Sequence, residues 1–141
     1  MSSIQPYLMF SGNCEEAIKF YCDVFGGDVQ YSTKYKDGPM DVPENWKEKI
    51  MHTTFIIRGD QLMASDSFPG NDPVKGNNIN LFVSFDKNSS PDEIFSKLAV
   101  GGKITLALEN TFWGARFGQL VDRYGVSWMF NQELEQPKKS H

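Results

Sequence analysis

The chain has 141 residues, 40% of them hydrophobic and 23% charged, with a formal net charge of -4. That length fits a single domain with a sizeable core. The acidic balance argues against a nucleic-acid binder, which needs a basic surface to displace counterions from phosphates. No apolar run approaches the ~20 residues that span a bilayer, and the opening MSSIQPYLMF lacks the basic and long apolar segments of a secretory signal.

Residues 4–10 are short, apolar and aromatic, and predict a strand that Pro6 places at a sheet edge. Asn13, with Glu16 three residues later, has the form of a capping box. Apolar residues at Cys14, Ala17, Ile18, Tyr21, Val24 and Phe25 then keep a one-sided helical spacing. Gly26-Gly27 closes that helix by allowing a left-handed cap. Residues 29–35 alternate as a strand, and 36–49, with Gly38, Pro39 and Pro43, form a loop. Residues 51–57 and 61–65 predict a hairpin around Arg58-Gly59-Asp60, and 66–78 a second loop.

The pattern then restarts. Residues 79–85 read as a strand, Ser90-Pro91-Asp92-Glu93 opens a helix with Pro in its first turn, and Ile94, Phe95 and Leu98 share one face. Gly101-Gly102 ends it, 103–108 is a strand, and 117–121 with 126–130 form a hairpin around Asp122-Arg123-Tyr124-Gly125. Residues 132–141 make a polar tail. Cys14 and Cys22 lie on one predicted helix, about 12 Å apart along its axis, too far for a disulfide. They read as reduced thiols of a cytoplasmic protein.

Placing Gly26-Gly27 on Gly101-Gly102, 75 positions on, aligns Ile4 with Ile79, Gln5 with Asn80, Tyr7 with Phe82, Leu8 with Val83 and Phe10 with Phe85, without gaps. Each half reads strand–helix–strand–strand–strand, half one over about 1–72 and half two over about 73–131 of a single domain. A helix covers one face of each predicted sheet, so the other face must be buried or lined with a ligand. Two such sheets side by side would enclose a cleft, a common place for a ligand.

Several segments resemble the PhnB-like branch of the glyoxalase, bleomycin-resistance and extradiol-dioxygenase superfamily, the vicinal oxygen chelate proteins. They are Pro6 to Phe10, Glu16 to Tyr21 with Phe25-Gly26-Gly27, Leu62 to Asp66, and Trp113 to Trp128. The W-G-x-R-F-G…D-x-x-G-x-x-W run is the most specific, and the likeness covers residues 4–131. It implies an α+β fold of two βαβββ modules around a glyoxalase-type cleft, closed within one chain or with a swapped partner, and a homodimer. A demethylubiquinone methyltransferase label also attaches to this family, but no Gly-rich loop between strand and helix suits an adenosyl cofactor.

In metal-using relatives the resemblance implies one ligand from the first and one from the last strand of each half, typically His and Glu. The equivalent positions are Gln5, Met63, Asn80 and Met129. Divalent cations of such sites want imidazole nitrogen or carboxylate oxygen. Two amides and two thioethers are poor substitutes. No cofactor is therefore expected, and a divalent metal, though the resemblance allows one, has no support at these positions.

The repeat's parity turns Gln5, Tyr7, Met63, Ser65, Asn80, Phe82 and Met129 toward the expected cleft. His52 is either a general base or a strand histidine satisfied by a neighbouring carbonyl. Asp66 is either a cleft carboxylate or a cap for the turn at Pro69-Gly70. Arg116 either clamps an anion or stacks on an aromatic neighbour. Phe112, Trp113, Trp128 and Phe130 read as core, with Trp113 the one to wall an apolar pocket. Cys14, near a helix start, reads as structural. The lining suits a small hydrophobic or aromatic molecule bound without metal. The alternatives are a superfamily enzyme, such as an isomerase or lyase with a non-standard metal site and His52 as base, and a dimeric module with no ligand.

Overall fold

The computed structural model describes residues 3–134 and divides into two compact units, Met1–Val74 and Lys75–His141. The first holds β1 (Tyr7–Phe10), α1 (Cys14–Phe25), β2 (Asp28–Lys34), β3 (Ile50–Ile57) and β4 (Asp60–Asp66). The second holds β5 (Leu81–Phe85), α2 (Asp92–Ala99), β6 (Lys103–Asn110), β7 (Ala115–Val121) and β8 (Ser127–Glu133). Sheet order is β1-β4-β3-β2 in one and β5-β8-β7-β6 in the other. In each, the first strand runs parallel to the last and the remaining pairs are antiparallel. The fold is therefore α+β, two βαβββ modules, as the repeat predicts.

Registers match between the units. Tyr7 stands opposite Met63 and Phe10 opposite Asp66; Phe82 stands opposite Met129 and Phe85 opposite Gln132. Pro6 lies just ahead of the edge strand, where its carbonyl accepts from Met63 N–H (3.1 Å) and its missing donor costs nothing. In the first unit α1 lays Cys14, Ala17, Ile18 and Tyr21 against the sheet, where Phe10, Phe55, Ile57, Leu62 and Ala64 are also buried. In the second, Phe95 of α2 meets Phe130 edge-on, ring centroids 5.1 Å apart, within a core that includes Val83, Phe85, Leu98, Leu120 and Trp128.

Element ends differ from expectation where tertiary bonds decide them. β1 and β5 start late, leaving Ile4 and Ile79 exposed ahead of them. Tyr35 leaves β2 for a single 3-10 turn, Tyr35–Asp37, and is buried there. A second such turn is Glu44–Trp46. Pro91 is the cap of α2 rather than part of its first turn. β8 runs into the expected polar tail, with Gln132 buried; 135–141 lie outside the described residues. Asp60, expected in a turn, begins β4, and Arg58 and Gly59 alone make the hairpin turn, both at positive φ.

The Gly-Gly pairs do the same two jobs twice. Gly26 (φ 76°) and Gly101 (φ 79°) take left-handed backbone after each helix. Gly27 and Gly102 pass against the neighbouring strand: a Cβ on Gly27 would sit 2.2 Å from the carbonyl oxygen of Ile56, and one on Gly102 2.2 Å from that of Val121. Ile56 pairs with Asp28 and Val121 with Lys103, equivalent places in the repeat. Gly27→Ala should therefore cost about 2–3 kcal/mol, since backbone must move. Gly26→Ala, with open space but an unfavourable φ, should cost about 1 kcal/mol. Urea unfolding of both variants checks the order; equal losses would contradict it.

Candidate functional site

Strand alternation gives each sheet a face under its helix and a face turned away from it. In the first unit the second face carries Tyr7 and Met9 from β1, Met63 and Ser65 from β4, His52 and Thr54 from β3, and Tyr31 and Thr33 from β2. Thr54 stands opposite Met63 and Tyr31; Thr33 stands opposite His52. Tyr7 and Tyr31 are 43% and 59% exposed, and Met9 is exposed too.

His52 is held at both ring nitrogens. Nδ1 lies 3.1 Å from the Tyr7 hydroxyl and Nε2 lies 3.1 Å from Thr54 Oγ1. The sequence expectation of a carbonyl partner is replaced by two hydroxyls. The rings of Tyr7 and Tyr31 lie 5.6 and 6.3 Å from the imidazole, centroid to centroid. Thr33 donates to the Tyr31 hydroxyl, and Ser65 Oγ reaches the Met9 sulfur at 3.5 Å.

The corresponding face of the second unit pairs Phe82 with Met129 and Ser84 with Asn131, with Phe117 opposite Asn131 and Gln119 opposite Met129. An open pocket of about 630 Å³ at its end is lined in part by Phe82, Ser84, Asp86, Lys87 and Asn131. Trp113 lies between β6 and β7, exposed, edge-on to Phe112 at 5.1 Å and 6.4 Å from Phe117. Phe112 is 96% exposed, so the expected aromatic cluster splits: Trp128 and Phe130 are core, Phe112 and Trp113 are not. Gln5 and Asn80 fall ahead of β1 and β5; Gln5 Oε1 accepts from Gln61 Nε2 at 3.1 Å. Tyr7, His52, Met63 and Ser65 thus share one face. Met9 and Thr54 follow from parity with Tyr7 and His52; Tyr31 does not, because an irregularity in the β2–β3 register lies between Val29 and Tyr31.

Asp66 is neither a cleft carboxylate nor a turn cap. It is buried on the helix side, where Oδ1 accepts from Gly12 and Cys14 N–H (2.8 and 2.9 Å) and Oδ2 from Ile50 N–H (2.9 Å). It does the work expected of Asn13, whose side chain makes no cap bond. Arg116 is neither an anion clamp nor an aromatic stack: it pairs bidentately with Asp92 at the start of α2 and donates to Asn110 Oδ1 at 2.9 Å. That guanidinium holds the Asp92 carboxyl below the usual range. Burial, then nearby Asp66, pushes the Cys14 thiol well up, as suits a structural cysteine.

The pair of βαβββ modules defines the vicinal oxygen chelate fold. FosX of Listeria monocytogenes, solved with Mn(II) and sulfate, shares that fold at a TM-score of 0.63, 11% identity, and coverage of 96% of this chain and 95% of its own. The family model described as 3-demethylubiquinone-9 3-methyltransferase matches residues 2–131, and the chain belongs to that family, the PhnB-like branch. Protein YjdN of Escherichia coli (strain K12) is 31% identical, over 95% of this chain and 97% of its own. Protein PA1353 of Pseudomonas aeruginosa is 36% identical with a TM-score of 0.84, covering 96% and 100% of the two chains. The PhnB protein of Bacillus cereus is 30% identical with a TM-score of 0.79, covering 93% and 99%.

Neither group that these likenesses bring to mind suits the residues present. The inherited metal positions offer amides and thioethers, and among the described residues no three His, Cys, Asp or Glu side chains gather as a site. The β1–α1 turn has a single glycine, and the amides of Gly12 and Cys14 are taken by Asp66, so it is no cradle for an adenosyl cofactor. No helix of the described residues is long and apolar enough to cross a membrane.

Asp66→Asn tests the carboxylate. The amide oxygen can keep two N–H donors, but its NH2 then meets the third donor. A loss of about 2–3 kcal/mol is expected in urea unfolding, and a loss below about 0.5 kcal/mol would show that the three bonds matter little.

Proposed function

We propose that the chain binds a small hydrophobic or aromatic molecule, without a metal, on the face of the first sheet turned away from α1. One observation carries this reading: Tyr7, Met9 and Tyr31 stay exposed on a surface that also holds a hydrogen-bonded histidine and the thioether of Met63. Exposed aromatic and thioether surface grouped around fixed polar atoms is the composition of a ligand site. A second patch, Phe82 with Met129, gives the other unit a face of like character. A homodimer in the cytoplasm completes the reading: the superfamily resemblance supports the pairing, and the free thiols of Cys14 and Cys22 suit a reducing compartment.

A thermal-shift screen of uncharged aromatic compounds should find ligands that raise the melting temperature. Tyr7→Ala should weaken the best of them five- to tenfold, the ~1 kcal/mol of one aromatic contact. Absence of any stabilising compound, or full affinity in Tyr7→Ala, overturns the assignment to this face.

The donor chemistry of Gln5, Met63, Asn80 and Met129 supports binding without metal. Equilibrium dialysis against Mn, Ni, Zn and Fe salts should show no stoichiometric uptake. One equivalent bound, and lost when Gln5 or Asn80 is replaced by Ala, would refute it.

A further inference from the structure

We infer that Tyr7 and His52 form a two-residue proton relay that makes the site selective for aryl hydroxyls, the phenol class of ligand, which it binds as the anion. The inference rests on the ligand-binding reading above and narrows it to one chemistry.

A neutral imidazole has one donor and one acceptor nitrogen. Thr54 and Tyr7 hydroxyls occupy the two. With the Tyr7 hydroxyl donating to Nδ1, Nε2–H donates to Thr54, and the Tyr7 oxygen keeps lone pairs for an incoming O–H. Tyr7 is substantially exposed, so that oxygen is reachable. The polar end of the site therefore asks for a donor from the ligand.

The surroundings choose the donor. The groups facing His52 are Tyr7 from β1, Tyr31 and Thr33 from β2, Thr54 beside it on β3, and Met63 and Ser65 from β4. None is a cation. Lys34 follows Thr33, the residue opposite His52, but it stands opposite Ile50 and is paired with Glu48 at 3.0 Å; Asp28, at the other end of β2, stands opposite Ile56. A carboxylate or phosphate would arrive with a full charge and find no lysine or arginine among these groups. A phenol arrives neutral. Its ring has the Tyr7 and Tyr31 rings and the Met9 and Met63 thioethers to lie against.

The proton count closes within the site. The ligand O–H proton passes to Tyr7 Oη as the Tyr7 proton passes to His52 Nδ1. The products are a phenolate, a neutral Tyr7 that now donates to it, and an imidazolium that donates to Tyr7. Nothing is oxidised and no bond to carbon changes. Each developing charge meets a hydrogen bond already aimed at it.

The test uses the full chain with 4-nitrophenol, whose anion is coloured, and 4-nitroanisole, its methyl ether, as the probe without a proton. Bound 4-nitrophenol should ionise about one pH unit or more below the free compound, a tenfold shift of its equilibrium. His52→Gln and Tyr7→Phe should each abolish that shift, measured at a concentration of 4-nitrophenol that saturates each variant. The ether should bind at least tenfold more weakly than the phenol to the unaltered chain. An unshifted bound phenol, a shift that survives in His52→Gln, or equal affinity for phenol and ether overturns the relay and leaves the binding reading standing. If neither probe nor any compound of the wider aromatic screen binds, both fall together.

Discussion

Three backbone amides converge on the carboxylate of Asp66, two from the β1–α1 turn and one from the start of β3, while its own backbone carbonyl accepts from the Tyr35 hydroxyl at 2.7 Å. Removing an ionised carboxylate from water costs several kcal/mol. Charge-assisted bonds of about 1.5–3 kcal/mol each can offset it only when several meet at once. Here they also fasten the end of β1, the first turn of α1, the start of β3 and the β2–β3 loop to the end of β4. The second unit builds the same joint with opposite polarity. Gln132 stands opposite Phe85, as Asp66 stands opposite Phe10, and its amide donates to the carbonyls of Asp86 and Ser89. What the repeat reproduces is a buried polar side chain that closes the strand-to-helix turn, through N–H groups in one half and C=O groups in the other.

That joint settles which face of the sheet is free. Side chains alternate along a strand, so fixing Asp66 under α1 turns Ser65 and Met63 away from it. The parallel pairing of β1 with β4 then brings Tyr7 beside Met63, and the antiparallel pairing of β3 with β4 brings Thr54 there too. A slip of one residue would bury Tyr7 and His52 and expose Phe10 and Phe55. The candidate site thus depends on a carboxylate that never touches it.

The architecture was legible because its signals are local or strictly periodic. Gly26-Gly27 and Gly101-Gly102 mark the same backbone event twice, and the spacing between them aligns β1 with β5 without gaps. The pairing of Met63 with Met129 does not keep that spacing, since the loops between the strands differ in length, and it is the registers that fix it: Tyr7 stands opposite Met63 and Phe82 opposite Met129. Roles set by distant partners were not legible. Asp66 bonds to groups 16 to 54 residues away, and nothing in Leu62 to Asp66 distinguishes it from a turn aspartate. Arg116 sits beside aromatics in sequence but spends its donors on Asp92, 24 positions back, and on Asn110. Tyr31 was missed because alternation along β2 is broken at a register irregularity. Phe112 and Trp113 show the converse error: adjacency to Trp128-type core residues in composition says nothing about a loop tip.

The family's methyltransferase description and the fold's metal-using members both suppose a group to which Gln5, Met63, Asn80 and Met129, and the β1–α1 turn, offer poor ligands. A helix N-terminus is a natural anion site because its first amides lack partners. In α1 the first of those amides, that of Cys14, is spent internally on Asp66, as is that of Gly12 just ahead of the helix. The face that remains sets hydroxyls, an imidazole, aromatic edges and sulfur around His52, with the nearby Lys34 paired to Glu48. On the binding reading proposed above, such a surface would discriminate by shape and by where a single proton can go. The hydrogen-bonded run from Tyr7 through His52 to Thr54 has two unlike ends: a threonine hydroxyl beside the imidazole and the hydroxyl of the exposed Tyr7. On the proposed reading a ligand would meet this run at Tyr7, the residue that the parallel edge strand, tied at Asp66, holds in place.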